Sequence, residues 1–182
     1  MGLKFSKIDI SNITLECYYK EECNKYCLGD IKNKYILIMF YPKDFSTVCP
    51  TELLAISSMA DTFKDLDCQV LFVSTDSIES HKKYCDEKEE VNGKTGIGKL
   101  NHPMLSDPDH KLCEYFDLYN EEENICRRGT VIIHNESSKL VFFSVNCDPI
   151  GRNSKELVRV IKAYDSYLTN GEMCPIDFKG TD

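Results

Sequence analysis

Tyr41-Pro42-Lys43-Asp44-Phe45-Ser46-Thr47-Val48-Cys49-Pro50-Thr51-Glu52 stands between two runs of different periodicity. Residues 35–41 form an unbroken apolar run ended by a proline, which predicts a buried strand. Residues 51–66 place Leu53, Ile56, Ala60 and Phe63 at three- and four-residue spacing, which predicts an amphipathic helix. Cys49 therefore falls on a strand-to-helix turn, at or just before the first helical turn. Pro50 suits that place, because the first helical residues make no use of a backbone N–H. Unpaired N–H groups at a helix start carry partial positive charge and stabilise an anion. A thiol in such a setting ionises more readily than a free one. Ser46, three residues earlier, can hydrogen-bond whatever docks at the sulfur. An isolated cysteine is by default a small buried hydrophobe. The Pro-x-x-x-Ser-x-x-Cys spacing of Pro42, Ser46 and Cys49 argues for a reactive one.

The composition bounds the function. The 182 residues suffice for one domain with a full core, and a hydrophobic fraction of 42% is ordinary for a globular chain. A net charge of −8 argues against nucleic-acid binding through a broad basic surface. No run approaches the roughly 20 apolar residues of a membrane span, and no secretory signal is visible. The ten cysteines would suggest a disulfide scaffold in a small secreted protein. Here many lie inside regular apolar or helical patterns, such as Cys68 at a strand start and Cys113 beside Tyr115 and Phe116. That pattern predicts mostly reduced, buried thiols and a cytoplasmic setting. Cys23 and Cys27 have no matching Cys/His pair for a zinc site, so no metal is expected. Gly2 and Ser6 fit the N-myristoylation pattern, but short patterns recur by chance, and one acyl chain gives only marginal membrane binding.

Along the chain, residues 8–18 read as one half-buried strand, with Ile13, Leu15 and Cys17 in alternation. Residues 20–34 read as a charged loop with a turn at Gly29-Asp30. Residues 68–75 predict a second buried strand, and Asp76 with Glu79 predicts a capping box for the helix that follows. The charged run 86–90 reads as a solvated face, and the glycine-rich residues 92–98 as a connection that fits neither phosphate-binding fingerprint. A short strand at 103–106 and a short helix at 110–116 come next. Residues 130–134 and 140–145 predict a hairpin. Asn153, with Glu156 three later, predicts the cap of a last helix striped by Leu157, Ile161, Tyr164 and Leu168 and ended by Gly171. Two parallel strands joined by a helix, then a hairpin and a closing helix, make a thioredoxin-like α/β fold: a central mixed sheet flanked by helices. No internal repeat or low-complexity linker interrupts it.

Pro42, Ser46 and Cys49 also match the Pro-x-x-x-Thr/Ser-x-x-Cys signature of the peroxiredoxins, and the longer string resembles their typical 2-Cys branch. Three more segments extend the resemblance in order over roughly residues 35–178. Arg128, before Gly129, matches the family's active-site arginine. Arg152, after Ile150-Gly151, matches a second arginine near the site. Cys174, within Gly-Glu-x-Cys-Pro, matches the resolving cysteine. Glu52 matches the acid that holds an arginine in place. The resemblance implies a thioredoxin-like domain over residues 1–170 and a tail over 171–182 that carries the resolving cysteine.

It also implies a mechanism. Cys49 attacks a hydroperoxide and becomes a sulfenic acid. Ser46, the Cys49 backbone and Arg128 stabilise the stretching O–O bond. Cys174 of the partner subunit condenses with the sulfenic acid to a disulfide, which thioredoxin or a similar dithiol reduces. No cofactor is implied, and a homodimer or decamer is. The apolar run 140–145 is suited to pairing across a two-fold axis. The chain departs from the family in carrying Ser46 for Thr and Thr47 for Phe, in its first thirty residues, and in a partial match at Thr95-Gly96-Ile97-Gly98. It reaches Asp182 without the Tyr-Phe helix of peroxide-sensitive members, which implies resistance to over-oxidation unless the sequence is a truncated one. A redox-regulated chaperone or peroxide-signal relay on the same fold is the alternative, although it has no need of the Pro42, Ser46, Cys49 and Arg128 set. A cysteine hydrolase would need His81, His102, His110 or His134 as base, and none has a hydrolase context.

Overall fold

The computed structural model describes residues 7–86 and 96–179. The Gly2 pattern, most of the charged run after Asp86 and residues 92–95 of the glycine-rich stretch lie outside them. The strands in chain order are β1 (Thr14–Tyr19), β2 (Glu22–Cys27), β3 (Tyr35–Phe40), β4 (Cys68–Ser74), β5 (Met104–Ser106), β6 (Tyr119–Asn120), β7 (Ile125–Cys126), β8 (Arg128–His134) and β9 (Lys139–Asn146). The helices are α1 (Cys49–Ser57), α2 (Ala60–Asp65), α3 (Ile78–Asp86), α4 (Lys111–Tyr115) and α5 (Ser154–Asn170). Seven strands form one mixed sheet in the order β2-β1-β5-β4-β3-β8-β9, the expected thioredoxin-like arrangement.

The apolar run of β3 has a simple cause: both faces of the strand are covered. Leu37 and Met39 face Leu53 and Ile56 of α1, Phe63 of α2, Tyr84 of α3 and Ile161 of α5. Ile36, Ile38 and Phe40 face Leu112 and Cys113 of α4 and Phe116 just after it. β3 runs parallel to β4 and antiparallel to β8. The start of β8 therefore lies beside the end of β3, where the chain leaves for α1. That reversal, not sequence proximity, brings Arg128 to Cys49.

Several expectations change. Residues 8–18 do not make one strand, because only Thr14–Tyr19 pair in the sheet. The stretch 20–34 is not all loop. Its first part is β2, which pairs with β1 from Tyr19↔Glu22 to Thr14↔Cys27. Lys20 and Glu21 turn this hairpin with φ of 52° and 67°, the backbone of a two-residue turn that usually recruits Asn-Gly. β2 is mostly exposed on both faces, so it has no alternation to detect. The helix expected over 51–66 breaks into α1 and α2 at Ser58-Met59. The Ser57 hydroxyl turns away to accept from Asn101 N–H at 2.8 Å, and Ser58 Oγ donates to the Ala55 carbonyl at 2.7 Å. The cap of α3 is Ser77, whose hydroxyl accepts from Ser80 N–H at 3.3 Å. Asp76 is instead engaged by Ser74 Oγ at 2.7 Å and Asp44 N–H at 2.9 Å.

Asn153 does cap α5, through Lys155 N–H at 3.0 Å, and Gly171 ends it with φ 71°. Leu157 and Ile161 are buried as expected, but Leu168 is 44% exposed and leaves the stripe. Six of the ten cysteines are buried; Cys23 and Cys147 are exposed, and Cys27 and Cys174 are intermediate. Among the described residues no cluster of three or more metal-ligating side chains occurs, and no helix is long and apolar enough to cross a membrane.

Candidate active site at the start of the first long helix

Tyr41 N–H still reaches the Val73 carbonyl at 2.9 Å, so the chain leaves the sheet immediately afterwards, at Pro42. Phe45 adopts φ 52°, a left-handed conformation that costs an aromatic residue energy. Its ring packs 4.8 Å from that of Tyr84, which holds the kink in place. Cys49 is the first residue of α1 and is fully buried, with Pro50 in the first turn. The Val48 carbonyl accepts from Thr51 Oγ1 at 2.6 Å, and no side chain caps the helix start. Thr51 N–H also reaches that carbonyl, at 3.1 Å, and Pro50 has no N–H to offer.

Arg128 enters from β8 with its side chain 3% exposed. Its Nη1 and Nη2 stand 3.6 and 3.7 Å from Cys49 Sγ. Two anchors hold it there. Nε and Nη2 donate to the Asp148 carbonyl at 3.1 and 2.7 Å, and Nη1 donates to Glu52 Oε2. Gly129 allows the strand to pass, since a Cβ there would meet Leu118 Cδ1 at 2.4 Å. Arg152 backs the same carboxylate: its N–H and Nε reach Glu52 Oε1 at 2.7 and 2.8 Å, and its Nη2 reaches Oε2 at 3.0 Å. Its Nη1 donates to the carbonyls of Phe40 and Gly129 at 2.9 and 2.6 Å, which ties the cluster to β3 and β8. Neither arginine is a solubilising surface charge.

Burial acts to raise the Glu52 pKa, but the hydrogen bonds and charge of Arg152, with Arg128, hold it below the usual carboxylate value. Burial opposes the charge on Arg128, yet the facing Cys49 and Glu52 raise its pKa further. The site therefore gathers one carboxylate and two guanidiniums behind the sulfur. Ser46 Oγ is buried beside this chemistry without a hydrogen-bond partner among the described residues. An unpaired buried hydroxyl costs stability and suits a site that receives a polar ligand.

The structure brings together Cys49 and Glu52 of α1, Arg128 of β8 and Arg152 of the segment before α5, while Pro42 and Ser46 lie on the loop that leads to Cys49. Cys174 does not join them within the chain. Its thiol lies on α5, 3.2 Å from the Ala163 carbonyl, with Met173 and Ile176 of the tail 86% and 90% exposed.

A second cluster escaped the sequence reading. Asp44, buried under the loop, accepts from Tyr41 OH at 2.8 Å and Ser80 Oγ at 2.8 Å, and lies 2.8 Å from His81 Nδ1. Tyr41 and Asp44 belong to the opening motif, and their three-residue spacing was the available signal. The His81 partner, 37 residues on, had none. The other histidines make no hydrogen bond to Cys49 either. His102 lies 3.4 Å from the Ile56 carbonyl, His110 stacks on Tyr119 at 3.8 Å, and His134 meets Ser137 at 2.7 Å. The hydrolase arrangement is absent among the described residues.

The sequence profile of the AhpC/TSA family matches residues 9–141. The chain is 35% identical over 168 residues to a Fasciola hepatica protein named thioredoxin peroxidase, covering 92% of this chain and 84% of that one. It is 40% identical over 151 residues to a Drosophila melanogaster protein named mitochondrial thioredoxin-dependent peroxide reductase, covering 83% and 63%. The match also spans only 64% of a relative from Entamoeba histolytica, so the chain covers less than two thirds of some curated relatives. Among solved structures, the crystal structure of Enterococcus faecalis AhpC superposes with a TM-score of 0.82 at 32% identity, over 93% of this chain and 97% of that one. The mitochondrial 2-Cys peroxiredoxin of Plasmodium falciparum gives 0.82 at 29%, over 95% and 100%.

Proposed function

The chain belongs to the AhpC/TSA family, and from that premise we propose that it is a thioredoxin-dependent thiol peroxidase with Cys49 as the peroxide-reactive thiol. One observation carries the assignment of the site: both terminal nitrogens of Arg128 face Cys49 Sγ, at 3.6 and 3.7 Å. A cation in that position can hold a polar oxidant at the sulfur and stabilise charge that develops as the bonds change. The sulfur attacks the nearer oxygen of a hydroperoxide. An S–O bond forms, the O–O bond breaks, and the departing oxygen leaves as water or an alcohol. Charge develops on that leaving oxygen, where Arg128, the Cys49 backbone N–H and the Ser46 hydroxyl can donate. Pro42 keeps the loop off the sheet, while Glu52 and Arg152 hold Arg128 in register.

The sulfenic acid then condenses with Cys174 of the partner subunit, expelling water and forming a disulfide. Thioredoxin or a similar dithiol reduces it. Three features support a homodimer: β9 is an edge strand of the sheet, Val145 and Ile150 are 48% and 57% exposed, and the Cys174 tail lies apart from Cys49 of its own chain. A decamer of such dimers follows the resemblance alone. Residues 1–170 act as the catalytic domain and 171–182 as the resolving tail. A cytoplasmic setting fits the free thiols.

The test is a non-reducing gel after one equivalent of hydrogen peroxide is added to reduced protein. A dimer-sized band in the wild type, absent from Cys174→Ser, is the expected result. A monomer-sized band in both would refute resolution between subunits.

A further inference from the structure

The loop that leads from β3 to Cys49 hangs on one residue. Among the described residues, Asp44 alone of residues 42–47 makes hydrogen bonds to the chain outside that stretch. Its N–H donates to Asp76 Oδ2 at 2.9 Å. Its Oδ1 accepts from Tyr41 OH and its Oδ2 from Ser80 Oγ, both at 2.8 Å. His81 Nδ1 stands 2.8 Å from the same Oδ2.

The partners are fixed in turn. His81 Nε2 lies 3.3 Å from the Leu105 carbonyl of β5. Asp76 Oδ2 also accepts from Ser74 Oγ at the end of β4, at 2.7 Å, and the Asp76 carbonyl accepts from Ser106 Oγ of β5 at 2.7 Å. The side chains of His81 and Asp44 are 0% and 1% exposed, so bulk water does not compete for these bonds. A buried polar network whose members are paired is rigid. Asp44 thereby joins the loop to β4, α3 and β5.

The residues that follow depend on that fastening. Phe45 holds φ 52°, a conformation that persists only where its surroundings impose it. Ser46 Oγ is buried and unpartnered among the described residues, so no bond of its own fixes its direction. Cys49 comes three residues later. Among the described residues Arg128 is the hydrogen-bond partner of its sulfur, so Asp44 and His81 act on it through the loop backbone. We propose that Asp44, gripped by His81, is a positioning residue for the peroxide reaction: it holds the loop so that the Ser46 hydroxyl and the Cys49 sulfur meet the hydroperoxide in one geometry. The proposal deepens the reading of Cys49 as the peroxide-reactive thiol and rests on it.

Alignment sets the size of the effect. A displacement of about 1 Å in a reacting group costs up to roughly 10² in rate. Releasing Asp44 frees Phe45 to relax out of the left-handed region and lets Ser46 turn away from the sulfur. An alkylating reagent needs only access to the sulfur and makes no demand on the hydroxyl. Loss of the fastening therefore slows the reaction with peroxide while alkylation stays as fast or becomes faster. A residue that served the fold alone would not separate the two rates.

The test uses full-length reduced protein and follows the Cys49 peptide by mass spectrometry, after timed exposure to hydrogen peroxide and, separately, of the native protein to iodoacetamide. Asp44→Ala and His81→Leu should each lower the peroxide rate at Cys49 by at least about tenfold, with the iodoacetamide rate unchanged or raised. His81→Asn, which keeps a donor near the Nδ1 position, should recover most of the loss. An unchanged peroxide rate in Asp44→Ala, or a parallel fall in both rates, would overturn the proposal. A His81→Asn variant as slow as His81→Leu would overturn the part given to His81. Should Asp44→Ala or His81→Leu fail to fold by circular dichroism, Ser80→Ala takes its place by removing one donor to the same carboxyl oxygen, and an unchanged ratio of the two rates there overturns the proposal. Wild-type Cys49 that reacts with peroxide no faster than the other cysteines would overturn the assignment of Cys49 itself, an outcome read before any variant is made.

Discussion

Glu52 and Arg128 are equally buried, each side chain 3% exposed, and they meet in a direct ion pair one helical turn from Cys49. Arg152 takes the other oxygen of the same carboxylate at 2.8 Å. One acid thus anchors two cations, and only one of those cations faces the sulfur.

Glu52→Gln keeps the volume and removes the charge. Two buried guanidiniums then share a neutral partner, and breaking a buried pair from one side costs about 3–5 kcal/mol. Urea unfolding should show a loss of that order, and stopped-flow kinetics a slower reaction with peroxide. Unchanged stability would mean that water replaces the carboxylate.

Arg128→Met removes the cation facing Cys49 while filling its space. Losing a donor to the charge that develops in the transition state costs on the order of 10²–10³ in rate. The second-order rate with hydrogen peroxide should fall by at least that factor. Arg128→Lys should recover only part of it, since one ammonium cannot occupy both guanidinium positions.

Ser46 separates stability from activity. Its hydroxyl is buried and unpaired, and such a group costs about 1–3 kcal/mol. Ser46→Ala should therefore raise the melting temperature or leave it unchanged while lowering peroxidase activity. Ser46→Thr should retain the activity. An alanine variant as active as the wild type would exclude the hydroxyl from the reaction.

His81 gives the fold a pH dependence. Burial acts to lower its pKa, but Asp44 and then Asp76 outweigh burial and raise it. The folded value exceeds the unfolded one of about 6.5, so the pairing stabilises fully below that pH and is lost as pH rises through the folded value. Asp76, raised by burial and by Asp44, contributes with the same sign: present below its unfolded value and lost as pH rises. The melting-temperature difference between wild type and His81→Gln should be largest near pH 6 and shrink toward pH 9. A difference that grows with pH would contradict the assignment.

The sequence made the site legible wherever chemistry and local geometry share one stretch. Pro42, Ser46, Cys49 and Pro50 announce a strand-to-helix turn, and β3 announces burial on both faces by its lack of alternation. Arg128 and Arg152 were found by resemblance, because nothing local marks a surface-type residue as buried. β2 was missed because Lys20-Glu21 turn a hairpin without glycine and the strand has no apolar face. The break between α1 and α2 was missed because Ser57 and Ser58 satisfy themselves through Asn101 and Ala55, which periodicity does not see. Asp44 and His81 meet only in three dimensions.

The antiparallel placement of β8 beside β3 has a consequence for the life history of the molecule. Cys49 and Arg128 are 79 residues apart in the chain, and Glu52 and Arg152 are 100 apart. A ribosome releases the thiol long before it releases either guanidinium, and the sheet cannot bring them together until β8 is made. The contact between thiol and guanidinium therefore forms only when the sheet closes, and a nascent chain carries Cys49 without the cation that faces it in the finished molecule.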